Sequence, residues 1–346
     1  MNKKNIIFIL ILLFYITTYN YCFSKEIPIF ILSSYRFKDP LSYPEYKGVI
    51  QCIQNNENKI KIYSYFLNSR ILPTKEIKKK VYKAVQLIKQ INPKLIITLD
   101  DLAFEVILQN FLTTLNNKNP FIVFSGVNKP IEEYNKKFNF ILHKTPIKNV
   151  TGVCEHIFIK QQLELIEFIV KKPFYVALLY STNYMGQIGK KQILRELNKT
   201  KYKNKIIIFP VTTFQELKKA VFEINNSPKI KAYFPLAISV RNPPQKNNLT
   251  LPQISSFLIQ NIKKIDLGVN IGFAKVGFFG GVCADPYAMG YQAGQLAIKI
   301  LQHYPIKNLK IENAKGYKII INQTRINTLK LKIPNIFFGL IDELVQ

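Results

Sequence analysis

The chain has 346 residues, 48% of them hydrophobic and 13% aromatic, which suits two globular domains and excludes a disordered chain. Lys and Arg number 49 against 21 Asp and Glu, a net charge of +28. That excess lies in runs such as "KEIKKK" (75–80) and "KTKYKNK" (199–205), which read as solvated helix faces and loop edges with little Arg among them, so no nucleic-acid partner is expected.

The chain opens with "MNKK" and then "IIFILILLFYI" (6–16), a positive start and an apolar stretch of about 11 residues, short of the ~20 that span a bilayer. Cys22 and Ser24 suit the −3 and −1 positions of a signal-peptidase site. A signal peptide is therefore expected over residues 1–24, leaving a soluble periplasmic or extracytoplasmic chain. Acylation at Cys22 ranks second, because the preceding "YNY" lacks small and aliphatic residues.

Beyond the signal, short apolar runs alternate with helical periods. The runs are "IPIFIL" (27–32), "KIKIYSYF" (59–66), "KLIIT" (94–98), "PFIVF" (120–124), "FYVALLY" (174–180) and "KIIIFPV" (205–211). Between them, Ile77, Val81, Val85 and Ile88 form one apolar stripe at helical spacing. Residues 161–170 and 214–224 repeat the pattern, the latter through Leu217, Val221 and Ile224. Strands buried on both faces and alternating with helices predict α/β architecture with doubly wound parallel sheets. The series restarts near "KTPIKNVTGV" (144–153), which predicts two lobes: 25–150 and 151–275. A returning segment of about 276–305 is assigned to the first lobe, and part of 306–346 to the second. "ADPYAMGYQAGQLAIKIL" reads as a helix capped by Asp285 with Pro286 in its first turn, and Gly290 and Gly294 permit close approach to its sheet.

"TLDDLAF" (98–104) joins the end of a strand to the start of a helix. One of Asp100 and Asp101 caps the helix, where free N–H groups and the helix dipole favour a carboxylate. The other is free to grip a ligand, because the carboxyl ends of the strands in open α/β sheets are where ligands bind. Which does which stays open. Other strand ends carry similar polar groups: Ser33, Ser34 and Tyr35; Ser125, Gly126 and Asn128; Ser181, Thr182, Asn183 and Tyr184; Arg241 and Asn242. A cleft between two lobes would gather them.

No nucleophile elbow, phosphate loop, dinucleotide fingerprint or zinc-protease motif is present. Three histidines, His143, His156 and His303, have no metal-ligand neighbours at workable spacing, and adjacent Cys154, Glu155 and His156 point different ways on any regular element. No cofactor, metal or catalytic residue is expected, and neighbouring carboxylates at a helix start seldom face one substrate bond. Cys52, Cys154 and Cys283 lack any paired spacing, so one disulfide is the most they allow and packed apolar thiols are expected.

"PKLIITLDDLAFEVI", "PFIVFSGVN", "NVTGVCE", "FYVALLYSTNYMGQIG" and "GFFGGVCADPYAMGYQAGQLAIKIL", in this order, resemble the ABC-transporter substrate-binding family that includes aromatic-amino-acid-binding proteins. The resemblance runs from about Ile27 to Pro334. It implies a type I periplasmic-binding-protein fold, two lobes joined by a hinge of three crossings, and no enzymatic activity. A small polar, amino-acid-like solute would be held between the lobes and delivered by a monomer to the membrane permease of an ABC importer. A periplasmic sensor partnering a membrane receptor is the alternative, and a secreted enzyme using Asp100 and Asp101 a third. The resemblance places Ser33, Ser34, Tyr35, Asp100, Asp101, Ser125, Gly126 and Asn128 on one wall. Glu155, Ser181, Tyr184, Arg241 and Asn242 fall on the other. Amino-acid-binding members often carry an acidic residue where this chain has Arg241, and that departure points to a carboxylate or other acceptor-rich solute.

Overall fold

The computed structural model describes residues 26–346 apart from 41, 56–58, 113–119, 172, 237 and 242–247. The expected signal segment, Cys22 and Asn242 lie outside the described residues.

Lobe 1 opens with β1 (Ile27–Ser33), α1 (Ser42–Gln54), β2 (Ile60–Phe66), α2 (Thr74–Ile91), β3 (Leu95–Leu99) and α3 (Asp101–Ile107). Then follow β4 (Phe121–Val127), α4 (Ile131–Phe138), the hairpin strands β5 (Ile141–Leu142) and β6 (Thr145–Pro146), and β7 (Val150–Cys154). Period-two alternation divides each strand between two apolar layers. Phe30 and Leu32 of β1 pack with Ala84, Ile88 and Phe104 on one face, whereas Ile29 and Ile31 pack with Val49, Ala293 and Leu296 on the other. The strands therefore read as unbroken apolar runs.

Lobe 2 repeats the scheme with α5 (Ile159–Val170), β8 (Tyr175–Ser181), α6 (Tyr184–Leu197), β9 (Ile206–Val211), α7 (Phe214–Asn226) and β10 (Ile230–Leu236). A small hairpin of β11 (Ser239–Arg241) and β12 (Asn248–Thr250) leads to α8 (Leu251–Asn261), β13 (Ile265–Asp266) and α9 (Gly272–Lys275). The remaining elements are β14 (Gly280–Ala284), α10 (Pro286–Leu301), β15 (Glu312–Asn313), β16 (Tyr317–Asn322), α11 (Gln323–Thr328), the short α12 (Asn335–Phe338) and β17 (Glu343–Val345).

The lobe 1 sheet has the order β15-β7-β4-β3-β1-β2 with every pairing parallel, and the lobe 2 sheet has β13-β10-β8-β9, also parallel. In both, the strand order reverses beside the first strand of the lobe, between β1 and β3 and between β8 and β10. Those switch points open a crevice at the carboxyl ends of the strands.

The chain changes lobe three times: after Cys154, at Asp285, and through residues 314–316. The segment returning to lobe 1 runs from Pro286 to Asn313 instead of the expected 276–305. Its start shifts because β14 belongs to lobe 2: Gly280 bridges to Leu267 after β13, and Val282 and Ala284 pack with Val176, Leu178 and Phe234. Helix α10 lies against α1 more than against the sheet. A Cβ on Gly290 would come within 2.0 Å of the Glu45 carbonyl oxygen, and one on Gly48 within 2.1 Å of the Tyr287 oxygen. These glycines bring two backbones together, which fixes where the first turn of α1 lies. Cys52, Cys154 and Cys283 are unpaired, and burial pushes the Cys52 thiol up to about 11. Among the described residues no helix is long and apolar enough to cross a membrane.

Candidate functional site: a cavity between the lobes

The two switch points face each other across a cavity of about 330 Å³. Its two halves differ in chemistry. Lobe 1 contributes Tyr35 beyond β1, Glu45 on α1, Arg70 beyond β2, Asp100 beyond β3, Gly126 and Asn128 at the end of β4, and Glu155 beyond β7. Lobe 2 contributes mainly apolar groups: Met185 and Ile188 on α6, Leu236 at the end of β10, and Val269, Ile271 and Phe273 after β13, while Met289 on α10 adds one apolar group from lobe 1. Gln192 and Asn270 are the polar exceptions. A polar wall thus faces an apolar one.

Asp100 and Asp101 divide their work. Asp100 is the N-cap of α3, its Oδ1 accepting from the Asp101 N–H at 2.6 Å, and the same residue lines the cavity. Its backbone has φ 72° and ψ 170°, a region in which only glycine is at ease. That conformation costs about 1–3 kcal/mol and is held by the bond from its own N–H to the Ser125 carbonyl. Asp101 turns the other way. Its carboxylate accepts from the N–H groups of Asn128 and Lys129, each at 3.1 Å, and from the Tyr134 hydroxyl at 2.9 Å, fastening the β4–α4 loop to α3. It does not line this cavity.

Several expected site residues have other roles. Ser33 Oγ accepts from the Tyr35 N–H, and Ser34 Oγ bridges the Leu99 carbonyl and the Ala103 N–H, so both shape the turns after β1 and β3. Ser181 is buried at the end of β8, where its carbonyl would lie 1.9 Å from a Cβ on Gly186. Tyr184 is 60% exposed and borders a neighbouring hollow with Asp101. Arg241 is exposed in β11, whose backbone bridges to Thr213 beside β9. Because β9 is the edge strand of its sheet, that bridge draws Arg241 away from the switch point and out of the cavity lining. The acceptor-rich solute inferred from Arg241 therefore loses its basis.

Glu45 and Arg70 were not expected from the sequence. Glu45 is 4% exposed, and its Oε1 makes no hydrogen bond. Gly126, at φ 70°, leaves room for it, since a Cβ there would fall 2.8 Å from Glu45 Oε1. The Arg70 guanidinium stacks 3.8 Å over the Tyr35 ring and pairs with Asp39 Oδ1 at 3.2 Å. Burial pushes the Glu45 carboxyl up to about 8; the Ser125 hydroxyl opposes this, and Asp100 and Glu155 add to it. Burial and then Asp100 likewise hold Glu155 at about 8. The Asp100 carboxyl is raised too, by burial first and by Asp101 second. Three carboxyls share one small space and resist ionising together. An incoming cation would relieve them.

The family described as ABC transporter substrate binding protein matches residues 38–338. The chain belongs to this family. A tyrosine-binding protein of Clostridioides difficile strain R20291 is 24% identical to the substrate-binding protein over 228 residues. The match covers 64% of this chain and 61% of that relative, so the chain spans under two thirds of the relative's length. Two solved structures share the fold. One is the ligand-free, open form of a Clostridium difficile substrate-binding protein with adhesive properties, with TM-score 0.67, 15% identity, and 92% of this chain and 99% of that one covered. The other is a Streptococcus pneumoniae ABC domain in complex with L-Trp, with TM-score 0.61, 18% identity, and 93% and 100% covered. The fold is thus α/β and type I periplasmic-binding-protein-like, as the alternation of strands and helices and the family resemblance implied.

In the substrate-binding protein, two ion pairs bridge the lobes from α4 to α6: Glu132 with Arg195 at 3.3 Å and Glu133 with Lys191 at 3.8 Å. Most of these side chains are half-exposed, and such pairs contribute about 0–1 kcal/mol each. They restrain the lobes weakly.

Proposed function

We propose that this substrate-binding protein captures a small amino-acid-like solute in the interlobe cavity, outside the cytoplasm, and delivers it as a monomer to the permease of an ABC importer. The observation that carries this reading is the two-faced cavity, with the carboxyls of buried Glu45 and half-buried Asp100 and Glu155 on lobe 1 opposite aliphatic and aromatic side chains on lobe 2. An ammonium-bearing molecule with an apolar body matches both walls at once. The tyrosine-binding relative and the L-Trp-bound neighbour support the same solute class. The binding role, as against catalysis, is supported by Asp101, whose carboxylate is committed to two N–H groups of the β4–α4 loop and the Tyr134 hydroxyl of α4 and cannot pair with Asp100 on one substrate bond.

Capture proceeds by closure. Solute first meets the polar groups of lobe 1, and the apolar wall of lobe 2 then closes over its body. The closed state is favoured by the difference in the solute's affinity for the two forms. Each charge-assisted hydrogen bond to the ammonium contributes about 1.5–3 kcal/mol, and every buried methylene of the body about 0.8 kcal/mol.

Thermal melting with a panel of amino acids, amines, carboxylates and sugars tests the reading. An amino-acid-like solute should raise the midpoint saturably, by about 2.7 kcal/mol of stabilisation at a hundred times Kd. A panel in which nothing shifts the midpoint, or only sugars or dicarboxylates do, contradicts it.

A further inference from the structure

We propose that Glu45 reads the ligand's positive charge, and that the site takes small apolar amines: a primary ammonium on an aromatic or aliphatic body, whose own carboxylate is dispensable. This rests on the interlobe cavity being the solute site and goes further by naming the chemical handle.

Glu45 is an unusual residue to bury. It comes from the first turn of α1, lines the cavity, and has an Oε1 with no hydrogen-bond partner. An unsatisfied buried carboxyl oxygen is costly, and the packing that places it is closely determined. Gly126 makes room for the oxygen, and Gly290 lets α10 press against the Glu45 backbone. The groups that act on this carboxyl are the Ser125 hydroxyl and the carboxyls of Asp100 and Glu155. None of them is a cation. Tyr35 and Arg70 share the cavity, but Arg70 is committed to Asp39 and to the face of Tyr35.

The cavity thus holds three carboxyls and one guanidinium that already has an anionic partner. A ligand ammonium supplies three N–H donors and one positive charge, which answers the orphaned Glu45 oxygen and adds to the charge Arg70 already offers Asp100 and Glu155. A ligand carboxylate would find Arg70, whose side chain is 41% exposed and already paired with Asp39, and the neutral donors of Tyr35, Asn128, Gln192 and Asn270, beside three carboxyls. The ammonium is therefore the required group and the carboxylate an optional one. The body meets Ile188, Leu236, Val269, Ile271 and Phe273.

Calorimetric titration of the protein with two matched series tests this. One series is tyramine, L-tyrosine and 3-(4-hydroxyphenyl)propionate; the other is isoamylamine, L-leucine and 4-methylpentanoate. In at least one series the amine and the amino acid should bind within about tenfold of each other, and the deaminated acid at least ~100-fold more weakly. Glu45→Gln should weaken the amine about 10- to 100-fold while keeping the far-ultraviolet circular dichroism of the parent. Arg70→Gln should weaken the amino acid and spare the amine, which keeps the assignment testable if Glu45→Gln misfolds. An acid that binds as well as its amine, or a Glu45→Gln protein that binds the amine as the parent does, overturns the assignment. Amino acids binding without their amines overturn the amine class and leave the solute-binding reading standing. Silence from all six compounds overturns the assignment, and the wider melting panel then decides separately whether the cavity binds any amino-acid-like solute.

Discussion

Replacing Arg325 with methionine should remove about 3–5 kcal/mol of stability and loosen lobe 2 beneath the cavity. Arg325 begins its path at α11 and ends fully enclosed, with 1% of its side chain exposed. Its Nε donates to Asp266 Oδ2 at 2.8 Å, Nη1 to the Ile259 carbonyl at 2.7 Å, and Nη2 to the Ile262 carbonyl at 2.9 Å. Asp266 is equally buried and also accepts from the Phe279 N–H. One guanidinium therefore ties the end of α8, the end of β13 and the start of α11 together. Burial holds the Asp266 carboxyl at about 6 in spite of Arg325, so the pair is costly to bury and still more costly to break. Methionine fills similar volume but leaves the Asp266 carboxyl without its cation and the Ile259 and Ile262 carbonyls without the donors of Arg325. Urea unfolding reads the loss. Adding Asp266→Asn to the variant should recover part of it, because the two residues are coupled. A single-variant loss below about 1 kcal/mol would mean that water reaches Asp266 freely.

The solute-free protein should be most stable at mildly acidic pH, with its melting temperature falling as pH rises from about 5 to about 8. The cause is the set of carboxyls whose folded values lie above their ordinary ones: Glu45 and Glu155 at about 8, Asp266 at about 6, and Asp100 raised by burial and by Asp101. In that interval the folded chain holds more protons than the unfolded one. Stability is then fully present below the ordinary carboxylate range and is lost as pH climbs through the folded values. The groups facing Glu45 are Asp100, Glu155 and Ser125, and Tyr35 and Arg70 line the same cavity. Glu45→Gln should flatten the slope, and a saturating amine should do so as well. A melting temperature that rises over the same interval contradicts the assignment of these carboxyls.

Much of the fold was legible because its cause is local. Continuous apolar runs such as "KLIIT" and "FYVALLY" are strands covered on both faces, and the stripe through Ile77, Val81, Val85 and Ile88 belongs to a helix lying on a sheet. The pair in "TLDD" was legible as a cap beside a crevice, although Asp100 both caps α3 and lines the cavity while Asp101 fastens a loop. Glu45 and Arg70 carry no such signal. They reach the cavity because β1 lies between β2 and β3, so residues following β1 and β2 are carried to the same switch point as Asp100. Only the order of strands brings them together, and no spacing in the sequence encodes it. Arg241 shows the converse: it follows a strand at the equivalent place in lobe 2, and a short hairpin then leads it to the sheet edge.

The most direct measurement is a crystal structure of the protein with its solute bound. The expected result is a molecule enclosed between the lobes, its ammonium nitrogen at about 2.7–3.2 Å from carboxyl oxygens of Glu45 and its neighbours, and its apolar body against Leu236, Val269 and Phe273. A solute that presents an anionic group to that wall, or that binds outside the interlobe cavity, would contradict it.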